Sequence, residues 1–320
     1  MKVLVAGATG AIGRPLISAL LATGHEVIGM SRSENGARSL REKGAEGEVA
    51  NALDENAVLA LMRRVKPDAV IDELTWLPER YTPEEMKAAA DRDRTVRLVG
   101  GCNVHKAARA AGANRYIAQS TGFFYGPGEG LATEQDALAI NASPRIAGSV
   151  RTYLQIEERV LGARDLPGVA LRYGFFYGPG TYHDPIDGSI STQVREQAYP
   201  VIGSGGGVFS FVHVEDAAAA TVAALESDPG VYNLVDDDPS EVSVWLPAFA
   251  RFLGAPDPPH LSQQDALQRA GADAVYYATR LRGASNGLAK RTLGFAPRRL
   301  EWLSTNKTAV REAPIVTARS

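Results

Sequence analysis

The first thirteen residues constrain the fold more than any other stretch. An apolar run, Met1–Ala6, meets three glycines spaced three apart in Gly7-Ala8-Thr9-Gly10-Ala11-Ile12-Gly13. A strand buried on both faces reads as such a run and stops at such a glycine. Helical spacing of Ile12, Leu16, Ala19 and Leu20 follows, and Gly24 ends it. Between a strand and a helix, glycines permit a tight turn, close backbone approach to a pyrophosphate and close helix–strand packing. The amino end of the helix carries about half a positive charge and unpaired amides. A dinucleotide pyrophosphate is therefore expected on Gly7, Thr9, Gly10, Ala11, Ile12 and Gly13.

The second strand, Glu26–Met30, leads into Ser31 and Arg32. An NAD site usually places an acid there to hold the ribose 2′-hydroxyl. A hydroxyl and a guanidinium suit a 2′-phosphate instead, so NADP is expected ahead of NAD. A solvated surface arginine is the competing reading. Apolar runs recur at 45–50, 69–71, 116–118 and 169–171, separated by helical segments at 33–43, 55–65, 83–111 and 149–164. That alternation predicts an α/β chain, a Rossmann-type doubly wound parallel sheet over residues 1–175. Beyond it, glycine, proline and aromatic residues crowd 174–185, and Gly203–Gly207 forms a flexible loop. Residues 176–320 are expected to form a smaller substrate-binding lobe, with parts of 209–235 returning to the first domain.

Composition narrows the function classes. The 320 residues carry a formal net charge of -3, with 22% charged residues of both signs, so there is no basic footprint for nucleic acid. No apolar run approaches the roughly 20 residues needed to span a bilayer. One cysteine, Cys102, fits a reducing compartment and a cytoplasmic location. Metal-ligand spacings such as Cys-x-x-Cys or His-Glu-x-x-His are missing, as is a Gly-x-Ser-x-Gly elbow. The partner expected is a small-molecule substrate.

Taken together, these residues resemble the extended short-chain dehydrogenase/reductases, the NAD(P)-dependent epimerase/dehydratase-like branch, over nearly the whole chain. Gly7-x-x-Gly10-x-x-Gly13 matches that family's nucleotide loop. Residues 49–54 look like its segment after the third strand, with Asn51 and Ala52 toward adenine and Asn51 replacing the usual aspartate. Residues 70–75 are similar to the stretch beside the cofactor ribose, which implies contacts from Leu74 and Thr75. In Gln119-Ser120-Thr121-Gly122, Thr121 falls at the catalytic hydroxyl position and Ser120 beside the cofactor. Residues 171–180 resemble the strand and loop that close over nicotinamide, implying Tyr173, Phe175 and Phe176. The resemblance also implies a homodimer pairing the helices near 83–111 and 149–164.

The departure from the family pattern bears on chemistry. The family acid/base pair is Tyr-x-x-x-Lys, and no such spacing exists in this chain. Alignment on Glu157 and Arg172 places Ser149 at the tyrosine position and Tyr153 at the lysine position. Four residues apart, they share a helix face. Tyr153 is either a proton donor assisted by Thr121, an arrangement similar to that of plant progesterone reductases and iridoid synthases, or a phenol satisfied in the core. Leu77, Tyr81, Phe123, Tyr177, His183 and Phe209 are expected around the substrate, an aromatic lining that suits a small or hydrophobic carbonyl or enone compound. An NADP(H)-dependent oxidoreductase is the leading expectation. A non-redox isomerase, dehydratase or lyase with bound nucleotide, and an NADP-sensing binding protein, are the alternatives.

Overall fold

In a computed structural model, described here over residues 1–304, the first strand buries nearly every side chain. Val3, Leu4, Val5 and Ala6 are all fully inaccessible. Successive strand residues point to opposite faces, so Val3 and Val5 enter one core while Leu4 and Ala6 enter another. Both faces must then be covered, and the helices that follow each strand cover them.

The strands β1 (Lys2–Ala6), β2 (Glu26–Ser31), β3 (Glu46–Val49), β4 (Ala69–Asp72), β5 (Arg115–Thr121) and β6 (Gly168–Tyr173) alternate with α1 (Gly13–Ala22), α2 (Glu34–Glu42), α3 (Glu55–Val65), α4 (Pro83–Thr95), α5 (Gly101–Ala111) and α6 (Pro144–Leu161). Beyond β6 come β7 (Phe175–Tyr177), α7 (Ser189–Arg195), β8 (Val201–Ile202), β9 (Val208–Phe209), β10 (Phe211–His213), α8 (Val214–Ala223) and β11 (Gly230–Leu234). The main sheet is parallel throughout and has the order β11-β6-β5-β4-β1-β2-β3. Its order reverses between β1 and β4, where a crevice opens beyond the strand ends. The last helices used below are α9 (Val242–Phe252), α10 (Gln263–Arg269) and α11 (Gly271–Arg280).

Two helix boundaries differ from the sequence expectation. The segment expected as one helix over 83–111 is broken by a five-residue π segment, Val96–Gly100. α4 has no buried residue, whereas α5 buries Val104, Ala107 and Ala108. The π segment is where the chain descends from the rim onto the sheet. α6 begins at Pro144, five residues before the expected start, because proline at the first helical position loses no hydrogen bond. Ser149 and Tyr153 therefore lie inside the helix.

A third, aromatic core fills the smaller lobe around Tyr125, Phe211, Trp245, Phe249 and Trp302. It corrects two site expectations. Tyr177 is 1% exposed and packs edge-on against His213 and Trp302. His183, 3% exposed, packs against Phe211 and Trp245, and its Nδ1 lies 3.1 Å from the Phe176 carbonyl. Pairing of β7 with β10, extended by a bridge from Tyr177 to His183, turns both rings inward. Burial pulls the His183 imidazole down to about 4, so it is neutral at physiological pH and away from the crevice.

The sheet, α6 and the smaller lobe are joined by one buried polar network. Arg172 on β6 donates from Nε and Nη2 to the two carboxylate oxygens of Glu157 on α6, each at 2.7 Å. Glu157 also accepts from Ser120 Oγ at 2.6 Å. Arg172 Nη1 reaches Tyr125 Oη at 2.9 Å, and Tyr125 donates to Asn233 on β11 at 2.5 Å. Replacing one member of a buried ion pair leaves the other charge unpaired and typically costs about 3–5 kcal/mol. Arg172→Met should therefore lower unfolding stability by that order in urea titrations, while Glu158→Gln, one residue along on the solvent face of α6, should cost less than about 0.5 kcal/mol. Equal, small losses in both variants would show that the network does not hold the lobes.

Beneath the glycine loop, Glu73 is 3% exposed, and its Oε1 accepts from Tyr173 Oη at 2.8 Å. Burial pushes its carboxyl up to about 8, opposed by the Tyr173 hydrogen bond and reinforced by neighbouring Asp72. The folded state thus binds a proton that the unfolded state releases above the ordinary glutamate range near 4.5. Stability falls as pH rises from about 4.5 to about 8 and then levels off, with a slope from this group on the order of 1 kcal/mol per pH unit. Glu73→Gln, which mimics the neutral acid, should flatten that fall in denaturation curves taken at pH 5.5 and 7.5, roughly the span from mild acid to physiological pH. An unchanged slope would place the ionised carboxylate in the core.

Candidate active site

The turn from β1 into α1 is built around three glycines with three different reasons. Gly7 has φ +84°, and a Cβ there would lie 2.4 Å from the Glu73 carbonyl oxygen. A Cβ on Gly13 would lie 2.3 Å from the Gly7 carbonyl oxygen, so this glycine lets helix and strand touch. Gly10 is exposed, and a Cβ there would meet only Gly7 O, at 3.2 Å. Its missing side chain leaves room for a group that approaches from outside. No side chain caps α1, and the amides of Ala11 and Ile12 find no acceptor among the described residues. Unpaired amides at a helix start, above an open glycine, fit a pyrophosphate.

At the end of β2, Ser31 is buried and its Oγ accepts the Ser33 amide at 3.3 Å, so this hydroxyl braces the turn into α2. Arg32 is exposed and stacks on the indole of Trp76, with its guanidinium carbon 3.6 Å from the ring centroid. Asn51 Oδ1 accepts the Leu53 amide, and the Ala52 carbonyl accepts from Asn103. Leu74 and Thr75 are half-buried beyond β4, next to the glycine loop.

Two adjacent residues at the end of β5 have different fates. Ser120 is engaged by Glu157, as described above. Thr121 is 1% exposed and its Oγ1 has no partner among the described residues. A buried hydroxyl without a partner is costly, which fits a group that is satisfied only when the crevice is filled.

Facing this end of the sheet, α4 and α6 flank a cleft of roughly 220 Å³ whose lining includes Leu77, Asp93, Arg97, Arg145, Ser149 and Tyr153. Arg97, from the π segment, is 6% exposed; it donates to Asp93 Oδ2 at 2.7 Å and to Gln119 Oε1 at 3.0 Å. Its guanidinium carbon stands 5.2 Å from the centroid of the Tyr153 ring. Burial pushes the Tyr153 phenol above its ordinary range; Arg97 opposes that rise and Asp93 adds to it. The phenol is therefore protonated at neutral pH and able to donate, not to act as a base.

An aromatic stack lies beside Tyr277. Phe123 and Phe175 have centroids 4.1 Å apart at 21°, and Phe175 and Phe209 4.3 Å apart at 18°. Phe209 is 3% exposed and supports the stack from behind, instead of lining the pocket as expected. Phe176 leans on Tyr173. Tyr81 is half-buried beside Tyr182 and has Tyr277 of α11 as a hydrogen-bonding neighbour; burial pushes its phenol up to about 12. The Tyr277 phenol is raised well above the ordinary range by burial and by the proximity of Tyr81 and Tyr153. Three tyrosines thus converge from a loop, α6 and α11.

Sequence reasoning missed Arg97 and Tyr277. Arg97 carried one weak signal, an isolated cation in the apolar stretch Val96–Gly100. Tyr277 carried none, since it approaches Tyr81 and Tyr153 only through folding of the smaller lobe. Among the described residues no group of three His, Cys, Asp or Glu side chains is arranged to hold a metal, and no helix is long and apolar enough to cross a membrane.

Comparison with known proteins agrees with this geometry. Residues 3–234 match the NAD dependent epimerase/dehydratase family. The 3-diazoavenalumate denitrifying reductase of a Streptomyces species is 39% identical over 305 residues, spanning 94% of this chain and 98% of that protein. The 2-alkyl-3-oxoalkanoate reductase of Stenotrophomonas maltophilia is 29% identical over 71% of this chain and 66% of its own length. Among solved structures, the Thermus thermophilus UDP-glucose 4-epimerase complex with NAD superposes with a TM-score of 0.68 at 26% identity, covering 94% of this chain and 96% of that one. The Thermotoga maritima UDP-glucose 4-epimerase shares the fold at a TM-score of 0.72 and 20% identity, covering 93% and 94% of the two chains. A nucleotide cradle, a doubly wound sheet and reductase relatives along the whole chain make this protein an enzyme of the NAD-dependent epimerase/dehydratase family, an extended short-chain dehydrogenase/reductase and an NAD(P)-dependent oxidoreductase.

Proposed function

We propose that the enzyme is an NADPH-dependent reductase of planar aromatic or conjugated compounds, whose reaction proceeds without the family's Tyr-x-x-x-Lys acid pair. The observation that carries this reading is the pairing of an intact dinucleotide cradle with an α6 face that offers Ser149 and Tyr153 instead of that pair. Gly7, Gly10, Gly13 and the Ala11 and Ile12 amides would hold the pyrophosphate, and Arg32 the 2′-phosphate. Bound reduced nicotinamide supplies a hydride. The Phe123–Phe175 stack offers an apolar wall to a flat substrate, and such rings also tolerate a cationic one. Arg145, 44% exposed and held only loosely by Asp273 at 3.4 Å, stands at the rim where a substrate carboxylate would reach it.

The chemistry that fits best is that in the Streptomyces relative's name, a denitrifying reduction of a diazo compound, and the substrate class taken here is an aryl diazonium carboxylate. When hydride replaces a diazonium group, the C–N bond breaks, N2 leaves and the reduced cofactor is oxidised, with no proton taken up. A site without a strong acid loses nothing in such a step. A second reading, reduction of an enone or carbonyl compound, is favoured by the Arg97 guanidinium beside Tyr153, which would then protonate the developing oxyanion.

Loss of reduced-nicotinamide absorbance, measured with an aromatic diazonium carboxylate and with a panel of enones, ketones and aldehydes, separates the two. With the diazonium substrate, cofactor deuterated at the transferred position should yield deuterated arene, and Tyr153→Phe should keep its rate within about threefold. For an enone or carbonyl substrate the same substitution should cost about a hundredfold or more. Inertness toward every compound, with tight NADPH binding, would overturn the reductase reading.

A further inference from the structure

Trp76 lies between two arginines. The Arg32 guanidinium carbon is 3.6 Å from the ring centroid and that of Arg92, on α4, is 3.5 Å from it. Two guanidinium groups that close to one centroid would overlap on a single face, so they take opposite faces of the indole. Neither makes an ion pair or a side-chain hydrogen bond among the described residues. Several other surface arginines find acids, as Arg41 does in Glu34, Arg64 in Glu48 and Arg109 in Asp165; Arg32 and Arg92 share an indole ring instead. Two like charges held this close repel; burial first, and the charge of Arg92 next, raise the acidity of Arg32. Stacking on an indole offsets part of that repulsion but leaves the positive charge uncompensated.

The spacing is fixed by more than the stack. The Trp76 amide donates to Asp93 Oδ1 at 2.6 Å, which ties the ring to the helix that bears Arg92. Arg32, in turn, follows the last residue of β2, which positions it beside the nucleotide crevice. A tryptophan spacer with a guanidinium on each face leaves the edges of both forks free for an incoming anion, and a guanidinium fork matches phosphate oxygens.

We propose that Arg92 and Trp76 complete the adenosine 2′-phosphate site, with the phosphate spanning the edges of the Arg32 and Arg92 guanidinium groups and Trp76 setting their separation. Arg92 is thus a specificity-determining residue supplied by α4, across the crevice from the position where sequence patterns place the phosphate contact. This inference rests on the NADP reading above and gives it a second cation.

Direct binding tests it without any turnover. Trp245 and Trp302 are buried, so Trp76 is the one tryptophan of the three whose fluorescence an aqueous quencher reaches readily. Titrations of the full chain with NADPH, NADH, 2′,5′-ADP and 5′-AMP, read by that fluorescence and by calorimetry, should show NADPH and 2′,5′-ADP shielding Trp76 more than their unphosphorylated counterparts. Arg92→Gln should weaken NADPH and 2′,5′-ADP about tenfold or more and leave NADH and 5′-AMP within about twofold, as expected from losing one charged hydrogen-bond donor. Lys87→Gln, which removes an exposed charge from the same helix, should leave all four affinities within about twofold. Trp76→Leu, read by calorimetry, should also reduce the preference for the phosphorylated ligands. An Arg92→Gln protein whose ratio of NADPH to NADH affinity matches the wild type would overturn the proposal while leaving Arg32 intact as a phosphate ligand. A wild-type protein that binds NADH as tightly as NADPH would instead overturn the NADP reading itself.

Discussion

The ion pair between Arg172 and Glu157 is the interaction on which the geometry of this enzyme depends. Both side chains are almost wholly buried, at 6% and 7% exposure, so their charges survive only because each satisfies the other in bidentate fashion. The pair pins α6 to β6 one turn beyond Tyr153, which fixes where that face of the helix meets the crevice. Through Ser120 the same carboxylate holds the end of β5, and through Tyr125 the guanidinium reaches β11 and the loops of the smaller lobe. Buried ionic groups contribute little net stability compared with apolar packing, but removing one partner leaves the other charge unpaired. The pair therefore holds α6 in place against the ends of β5 and β6.

The cradle for the nucleotide is held open by a different kind of constraint, backbone contact in place of charge. Gly7 presses on the Glu73 carbonyl and Gly13 on the Gly7 carbonyl, so the loop cannot relax inward. Glu73 beneath it is uncharged near neutral pH, which avoids placing an anion next to the seat of a pyrophosphate. The free amides of Ala11 and Ile12 therefore meet a binding site whose own field favours negative charge. A dinucleotide bound there would meet amides that the local structure leaves unsatisfied.

Much of this was legible in the sequence, and the limits have physical causes. The parallel sheet followed from apolar runs alternating with helical spacing, because both faces of each strand need cover. The glycine spacing marked the turn from β1 into α1, because backbone freedom at Gly7 and close approach at Gly13 require glycine there. Tyr177 and His183 misled because motif position places them near the crevice, whereas pairing of β7 with β10 and the pull of an aromatic core turn them inward; apolar packing in a distant lobe carries no local mark. Arg97 escaped notice for a related reason. A regular helix over 83–111 offers no reason for its burial, and only the π segment brings its side chain off the α4 surface and over Tyr153. Ser31, expected beside a 2′-phosphate, also braces the turn that follows, where its Oγ accepts the Ser33 amide.

With Tyr153 at the family's lysine position, the cation beside its ring is Arg97 of the π segment, and that changes what the site can do. A lysine one turn from a tyrosine lowers the phenol's proton affinity and readies it for exchange with a substrate oxygen. Arg97 brings a permanent positive charge, but Asp93 accepts from it at 2.7 Å and Asp93 itself raises the proton affinity of Tyr153. Burial adds in the same direction, so the Tyr153 phenol ends above its ordinary range despite its cationic neighbour. Such a hydroxyl gives up its proton only to a strongly basic oxygen, and it cannot take one back from an alcohol at neutral pH. Under the function proposed above, such a phenol suits hydride delivery to a substrate whose product needs little or no protonation.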